Sequence, residues 1–252
     1  MPEAADLLGR LLGTLALRPY VFACLLAFLV IAWRDIGGRR TLLWLFLGLL
    51  AAFSAEYAST RIGLPFGLYH YTGRTAGREL FLSNVPLFDP LSFPFLAYAS
   101  WCLARWATGR RRGALIVGLA ALLMTWLDVV IDPLAVRGER WFLGPVFYYP
   151  AGGAYFGVPL SNFAGWWLVG TLIVGGSLAL AKGSEGDPRP GVGLYYGVLA
   201  VSLVLTAWIG EPLLFVVGLA LHVAATVALL VQARAQRAAR APGLFLRAIP
   251  WR

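Results

Sequence analysis

The chain of 252 residues is 60% hydrophobic, has a mean hydropathy of +0.74 and is only 13% charged, where a soluble domain carries about 25% charged residues. These figures exclude a soluble globular enzyme and indicate an integral membrane protein, with apolar runs long enough to cross a bilayer recurring along the whole length. The formal charge of +9 is not a nucleic-acid signature: the arginines collect between apolar runs, as in Arg110-Arg111-Arg112, the pattern of the positive-inside rule.

In chain order, residues 1–14 read as a short interfacial helix carrying the motif LLGRLLGTL. The apolar run that follows lacks an A-x-A-like cleavage site and reads as a retained helix, not a signal peptide. Spans are expected near 15–33, 41–60, 84–106, 113–131, 163–180, 192–210 and 212–231, about seven by the length rule. Together they form one membrane domain over residues 1–252, an all-α polytopic transmembrane helix bundle. Gly210-Glu211-Pro212 makes a tight hairpin between the last two spans. From Gln232 an Arg- and Ala-rich tail reads as a cytoplasmic stub. Cys24 and Cys102 fall inside apolar runs and read as buried thiols.

With the N-terminus outside, fourteen cationic residues lie inside: Arg34, Arg39, Arg40, Arg105, Arg110, Arg111, Arg112, Lys182, Arg189 and five tail arginines. Seven lie outside: Arg10, Arg18, Arg61, Arg74, Arg78, Arg137 and Arg140. The asymmetry favours a multi-pass cell-membrane protein with its N-terminus outside and its C-terminus cytoplasmic. In this orientation two Gly/Pro/aromatic-rich loops, 61–83 and 133–162, share the outer face with Glu56, Asp89, Asp128, Asp132 and Glu211. Carboxylates within spans are costly and mark a cavity or a partner.

Asp128 and Asp132, four residues apart, share one helix face. The pair could act as acid and base, hold a divalent ion, or cap the helix and pair with Arg137 or Arg140. Asp-Pro at a helix end favours the capping role for Asp132. Asp128, a turn deeper beside Trp126 and Leu127, suits a general acid. Glu56, beside Tyr57, also sits about a turn inside its span. Asp89 and Glu211 precede prolines in loops and read as structural. Many of the outer aromatics belong to an interfacial belt, yet their concentration in two loops exceeds what a belt needs. Such rings would line a channel for a long polyene and stabilise a carbocation. His70 and His222 belong to no ligand-like cluster, and Asn84 and Asn162 each follow a serine and suit orienting a water or capping a helix equally. A faint echo links GLPFGLYHYT and LSNVPL to GAYFGVPLSNF, as a duplication or chance would give.

The run AEYASTRIGLPFGLYHYT, then LSNVPLFDPLSFPFLAY, then DVVIDPLA with RWFLGPVFYYPAGGAYFGVPLSNFAGWW, resembles the CruF-type family of bacterial and archaeal carotenoid hydratases over roughly residues 50–170. The resemblance implies a carotenoid biosynthesis enzyme, a hydro-lyase, that adds water across the terminal double bond of an acyclic end group of the lycopene, γ-carotene or anhydrobacterioruberin type. The implied partners are a carotenoid within the bilayer, membrane lipids and other carotenoid biosynthesis enzymes.

Hydrating such an alkene takes a strong acid, aromatic faces for a tertiary cation, and a base for the incoming water. No cofactor and no metal are expected. Asp128 is the expected acid, with Glu56 or Asp132 positioning water. Tyr57, Tyr69, Tyr71, Trp141, Tyr149, Tyr155, Asn162 and Trp166 are the expected substrate-binding residues. A membrane prenyltransferase would use Asp-x-x-x-Asp to hold magnesium and diphosphate, but a second aspartate-rich segment is missing. A proton-coupled transporter would spread its acids through the depth of the membrane. A retinal protein is disfavoured because the one lysine, Lys182, falls in a loop.

Overall fold

The computed structural model describes residues 2–240. Among them, eight α-helices carry the fold: α1 (Pro2–Leu17), α2 (Pro19–Ile36), α3 (Gly38–Ile62), α4 (Ser92–Thr108), α5 (Ala114–Ala135), α6 (Leu160–Leu180), α7 (Arg189–Trp208) and α8 (Pro212–Arg240). The protein is an all-α polytopic membrane bundle. Six helices, α2, α3 and α5 to α8, are long and apolar enough to cross a membrane.

The helix α4 has 17 residues and is buried along nearly its whole length, from Phe93 to Thr108. A helix apolar on every side belongs inside a bundle, and α4 packs against α2, α3, α5, α6, α7 and α8. Where the pattern suggested a span from 84, the helix starts at Ser92. Residues 81–86 instead form a two-stranded hairpin, β2 (Phe81–Leu82) with β3 (Val85–Pro86). The residue before a proline is pushed out of the α region, which Asp89-Pro90 enforces. The Ser92 amide and hydroxyl both donate to the Asp89 carbonyl, at 2.9 and 2.7 Å. At the other end of the chain, α8 runs on through the expected tail to Arg240; the rest of that tail lies outside the described residues.

The chain reverses direction at each connection, so the α1–α2 junction, both aromatic loops and the α7–α8 turn share one face. Strand β1 (His70–Tyr71) of the first loop pairs antiparallel with β4 (Phe147–Tyr148) of the second, joining the two into one roof. Three ion pairs, at two places, pin the roof to the bundle. Arg18 grips Glu79 at 3.1 and 3.0 Å and donates to the Leu143 carbonyl at 2.7 Å. Glu211 at the α7–α8 turn holds Arg137, at 3.1 Å, and Arg140. A close helix–loop contact completes the seat: a Cβ on Gly165 of α6 would meet Phe66 at 2.6 Å and the Pro65 backbone at 2.9 Å.

The opposite face is clasped as well. Arg105 forks onto Asp35 at 2.6 and 3.3 Å, with Tyr98 donating to the same carboxylate at 2.8 Å. Glu185 in the α6–α7 loop accepts from Arg40 and Arg112 at 2.9 and 3.0 Å. Burial opposes ionisation of Glu185, but these guanidinium bonds prevail and hold its carboxyl below the usual range.

Candidate active site

Beneath the roof, the adjoining ends of α3, α5 and α6 and the approach to α4 bring four carboxylates together as two clusters. In the first, Tyr71 of β1 stands between Glu56 of α3 and Asp89, with its hydroxyl 3.1 Å from Glu56 Oε2 and 2.7 Å from Asp89 Oδ2. A phenol carries one proton and can donate to one partner at a time. Both contacts are hydrogen bonds only when one of the carboxyls carries a proton of its own, so the geometry stores a shareable proton. Burial, then the charges of Asp89 and Glu56, raise Tyr71 well above the ordinary phenol value and keep it neutral. Burial pushes Asp89 up to about 6, against the Tyr71 hydrogen bond and the Arg18 charge, which pull it down.

In the second cluster, one amide serves two acids. Asn162 Nδ2 donates to Asp128 Oδ2 and to Asp132 Oδ2, both at 2.7 Å. Trp166 Nε1 adds a third contact to Asp132 Oδ2 at 3.3 Å. The shared helix face predicted for the two aspartates is what lets a single residue of α6 reach both. Pro133, inside α5, cannot donate to the carbonyl of Val129, so the helix loses a rung beside Asp132.

Two voids meet at these clusters. A small one of about 30 Å³ is lined by Glu56, Asp89, Asp132 and Asn162 with the rings of Phe66, Tyr69, Phe93, Phe147, Tyr149 and Trp166. That is room for about one water molecule with several polar partners. Glu56 Oε1 is buried without a hydrogen-bond partner. A large void of about 530 Å³ runs between α2 and α7 over α4 and α5, and Asp89, Asp132, Phe147 and Trp166 line both. Aromatic faces enclose the junction: Trp166 stacks on Phe93 at 4.4 Å, and Tyr69 meets Phe147 and Tyr149 edge-on at 5.5 and 5.7 Å. Ring faces carry partial negative charge and favour a cation.

The structure brings together Glu56, Tyr69, Tyr71, Asp132, Tyr149, Asn162 and Trp166, and sets Trp141 in the wall of the large void. Two candidates sit behind this layer. Asp128 is fully buried and lines neither void. Tyr155, edge-on to Phe163 at 5.4 Å, also lines neither. Tyr57, expected beside the substrate, lines neither void: it is 39% exposed, and the Arg61 guanidinium covers its ring at 3.4 Å. Its neighbour Glu56 points inward, so Tyr57, one position on, is rotated about 100° away.

Sequence reasoning missed Asp89. An Asp-Pro in a loop looks like a turn, and only the surrounding apolar run LFDPLSF, with no cation beside the acid, hinted otherwise. The α2 and α7 walls were missed as well. Among the described residues, no group of three or more His, Cys, Asp or Glu could hold a metal ion.

A family model described as carotenoid biosynthesis protein matches residues 11–233. A bisanhydrobacterioruberin hydratase of Haloarcula japonica is 33% identical over 138 residues, which is 54% of this chain and 44% of that protein. The match thus spans less than half of the relative's length. No solved structure gives a significant match.

Proposed function

The chain belongs to the carotenoid biosynthesis protein family, and from that premise we propose that it is a hydratase adding water across the terminal double bond of an acyclic carotenoid end. One observation carries the proposal: an apolar void large enough for a hydrocarbon chain shares Asp89, Asp132, Phe147 and Trp166 with a void the size of one water that three carboxylates line.

In the proposed reaction, Asp89, at the junction, gives its proton to the CH carbon of the terminal alkene. The tertiary cation that forms at the dimethyl carbon sits among Trp166, Phe147 and the Asp132 carboxylate. Water in the small void bonds to that carbon and passes a proton to Glu56, which lines that void and has one oxygen, Oε1, without a hydrogen-bond partner. Tyr71 then takes the proton from Glu56 and hands its own to Asp89. The circuit closes with no net proton change, and it calls for no cofactor. Asn162 and Trp166 hold Asp132, and Asp128 fixes the Asn162 amide from behind. Asp128 therefore cedes the acid role expected of it to Asp89, since only the latter faces the large void. A lycopene-, γ-carotene- or anhydrobacterioruberin-like end fits this chemistry. The cationic asymmetry of the chain supports an outward-facing roof, with a cytoplasmic C-terminus.

The test is expression in hosts making lycopene or γ-carotene, with pigments separated by liquid chromatography and mass detection. A more polar product heavier by one water is expected, and it should vanish in Asp89→Asn while the protein remains in the membrane. Failure to hydrate either pigment or an anhydrobacterioruberin precursor would refute the proposal and restore weight to a transporter or a prenyltransferase.

A further inference from the structure

The large void also reveals how a water-insoluble substrate reaches a site roofed on its aqueous side. One wall is a stripe of α7, Gly193, Gly197, Val201 and Leu205, spaced four residues apart and so stacked along one helix face. The first three of these are exposed, with Val201 57% open. The stripe therefore belongs both to the void and to the apolar outer surface, where α7 meets lipid. The facing wall on α2 is Tyr20, Ala23 and Cys24, and Ala23 is exposed as well. The void is thus a groove, open sideways between α2 and α7, and its deep end is Asp89 and Asp132.

We infer that a linear, uncharged isoprenoid chain lies in this groove, slides in from the bilayer between α2 and α7, and presents one end to the carboxylates while its remainder stays in lipid. The lining names the occupant by what it lacks. No Lys or Arg lines the groove, and its ionisable carboxyls, Asp89 and Asp132, would repel an anion. A prenyl diphosphate, a fatty acid or a phospholipid would bury an unpaired negative charge there, which is strongly unfavourable. A hydrocarbon chain gains from burial, and its lack of bulk suits the two glycines. The identity of the reacting end rests on the hydratase reading; the groove itself does not.

An added Cβ meets nothing within 4 Å at Gly193 or Gly197, so larger residues there fill the groove without disturbing the helix. Gly118 of α5 is equally open but lines neither void, and Gly118→Leu serves as the control. The full chain in lipid nanodiscs is mixed with lycopene, and binding is read from the induced visible circular dichroism of the bound polyene. Hydration is followed separately by mass. Gly193→Leu and Gly197→Leu should each reduce polyene binding at least tenfold, with Gly118→Leu equal to the wild type. Cys24→Trp, from the opposite wall, should do the same, which guards against a folding defect peculiar to α7. Wild-type-like binding in the well-folded α7 and α2 variants overturns the groove, as does no binding by the wild-type protein. Binding that is lost in the variants, with no hydrate formed even by the wild type, upholds the groove and sinks the hydratase reading.

Discussion

Replacing Asp89 by Asn removes a proton while keeping the shape around it. The amide is nearly isosteric, and its oxygen can still accept from the Tyr71 hydroxyl, which lies 2.7 Å from Asp89 Oδ2. The fold should therefore survive and the chemistry should not. A positioned general acid contributes roughly 10²–10⁴ in rate, about 3–5 kcal/mol of barrier at about 1.4 kcal/mol per decade. Hydrate formation in isolated membranes should fall at least a hundredfold. The pH profile adds a second signature. With Asp89 raised to about 6, the protonated, active form dominates below that value. Wild-type kcat/KM should decline tenfold per unit above about pH 6. The descending limb should be absent from whatever activity Asp89→Asn retains. Asp128→Asn is the informative partner, because Asp128 lines neither void, and its loss should be no more than about tenfold. If Asp128→Asn abolishes the reaction while Asp89→Asn stays within threefold of wild type, the helix-face reading was right and the geometric one wrong.

Tyr71→Phe should lower kcat about a hundredfold with KM unchanged, because Glu56 can no longer return its proton to Asp89; added formic acid should restore part of the rate. Asn162→Ala takes away the amide donor of the buried Asp128 and leaves the half-buried Asp132 with Trp166 alone; at about 1 kcal/mol or more for each lost hydrogen bond it should lower the detergent melting temperature. Glu79→Gln breaks a pair whose side chains are 2% and 1% exposed; leaving a buried charge unpaired costs about 3–5 kcal/mol, so yield and Tm should drop at neutral pH. Asp89 should also mark the stability curve. Its folded value lies above the ordinary 3.8, so its stabilising contribution is full below about pH 4, declines as pH rises to about 6 and is flat beyond. A wild-type minus Asp89→Asn difference in Tm that grows with pH across that window would contradict the burial of this carboxyl.

The helical bundle was legible because bilayer length and apolar composition leave few other solutions. The pairing of Asp128 with Asp132 was legible too, since spacing alone sets a helix face. What spacing could not supply was depth. Asp128 looked like the acid because its sequence neighbours are apolar, yet those neighbours bury it behind Asn162. Asp89 looked like a turn residue because Asp-Pro is a turn signal, and only the β1–β4 pairing, Tyr71 against Phe147 and His70 against Tyr148, lowers the roof that seals it in. Tyr57 was grouped with Glu56 by adjacency, yet neighbours in a helix sequence point in different directions, and Tyr57 lies outside both voids. Gly193 and Gly197 of α7 stand four residues apart, but whether such glycines admit another helix or a ligand depends on what stands opposite, which spacing does not give.

The roof is tied down at two corners, by Arg18–Glu79 and by Glu211 with Arg137 and Arg140, and this bears on the fate of the product. On the hydratase reading proposed above, a reaction completed under a fixed cover at one end of the bundle would place the new alcohol near the membrane surface. A product leaving sideways between α2 and α7 would then already have its hydroxyl toward the interface and its polyene in the hydrocarbon.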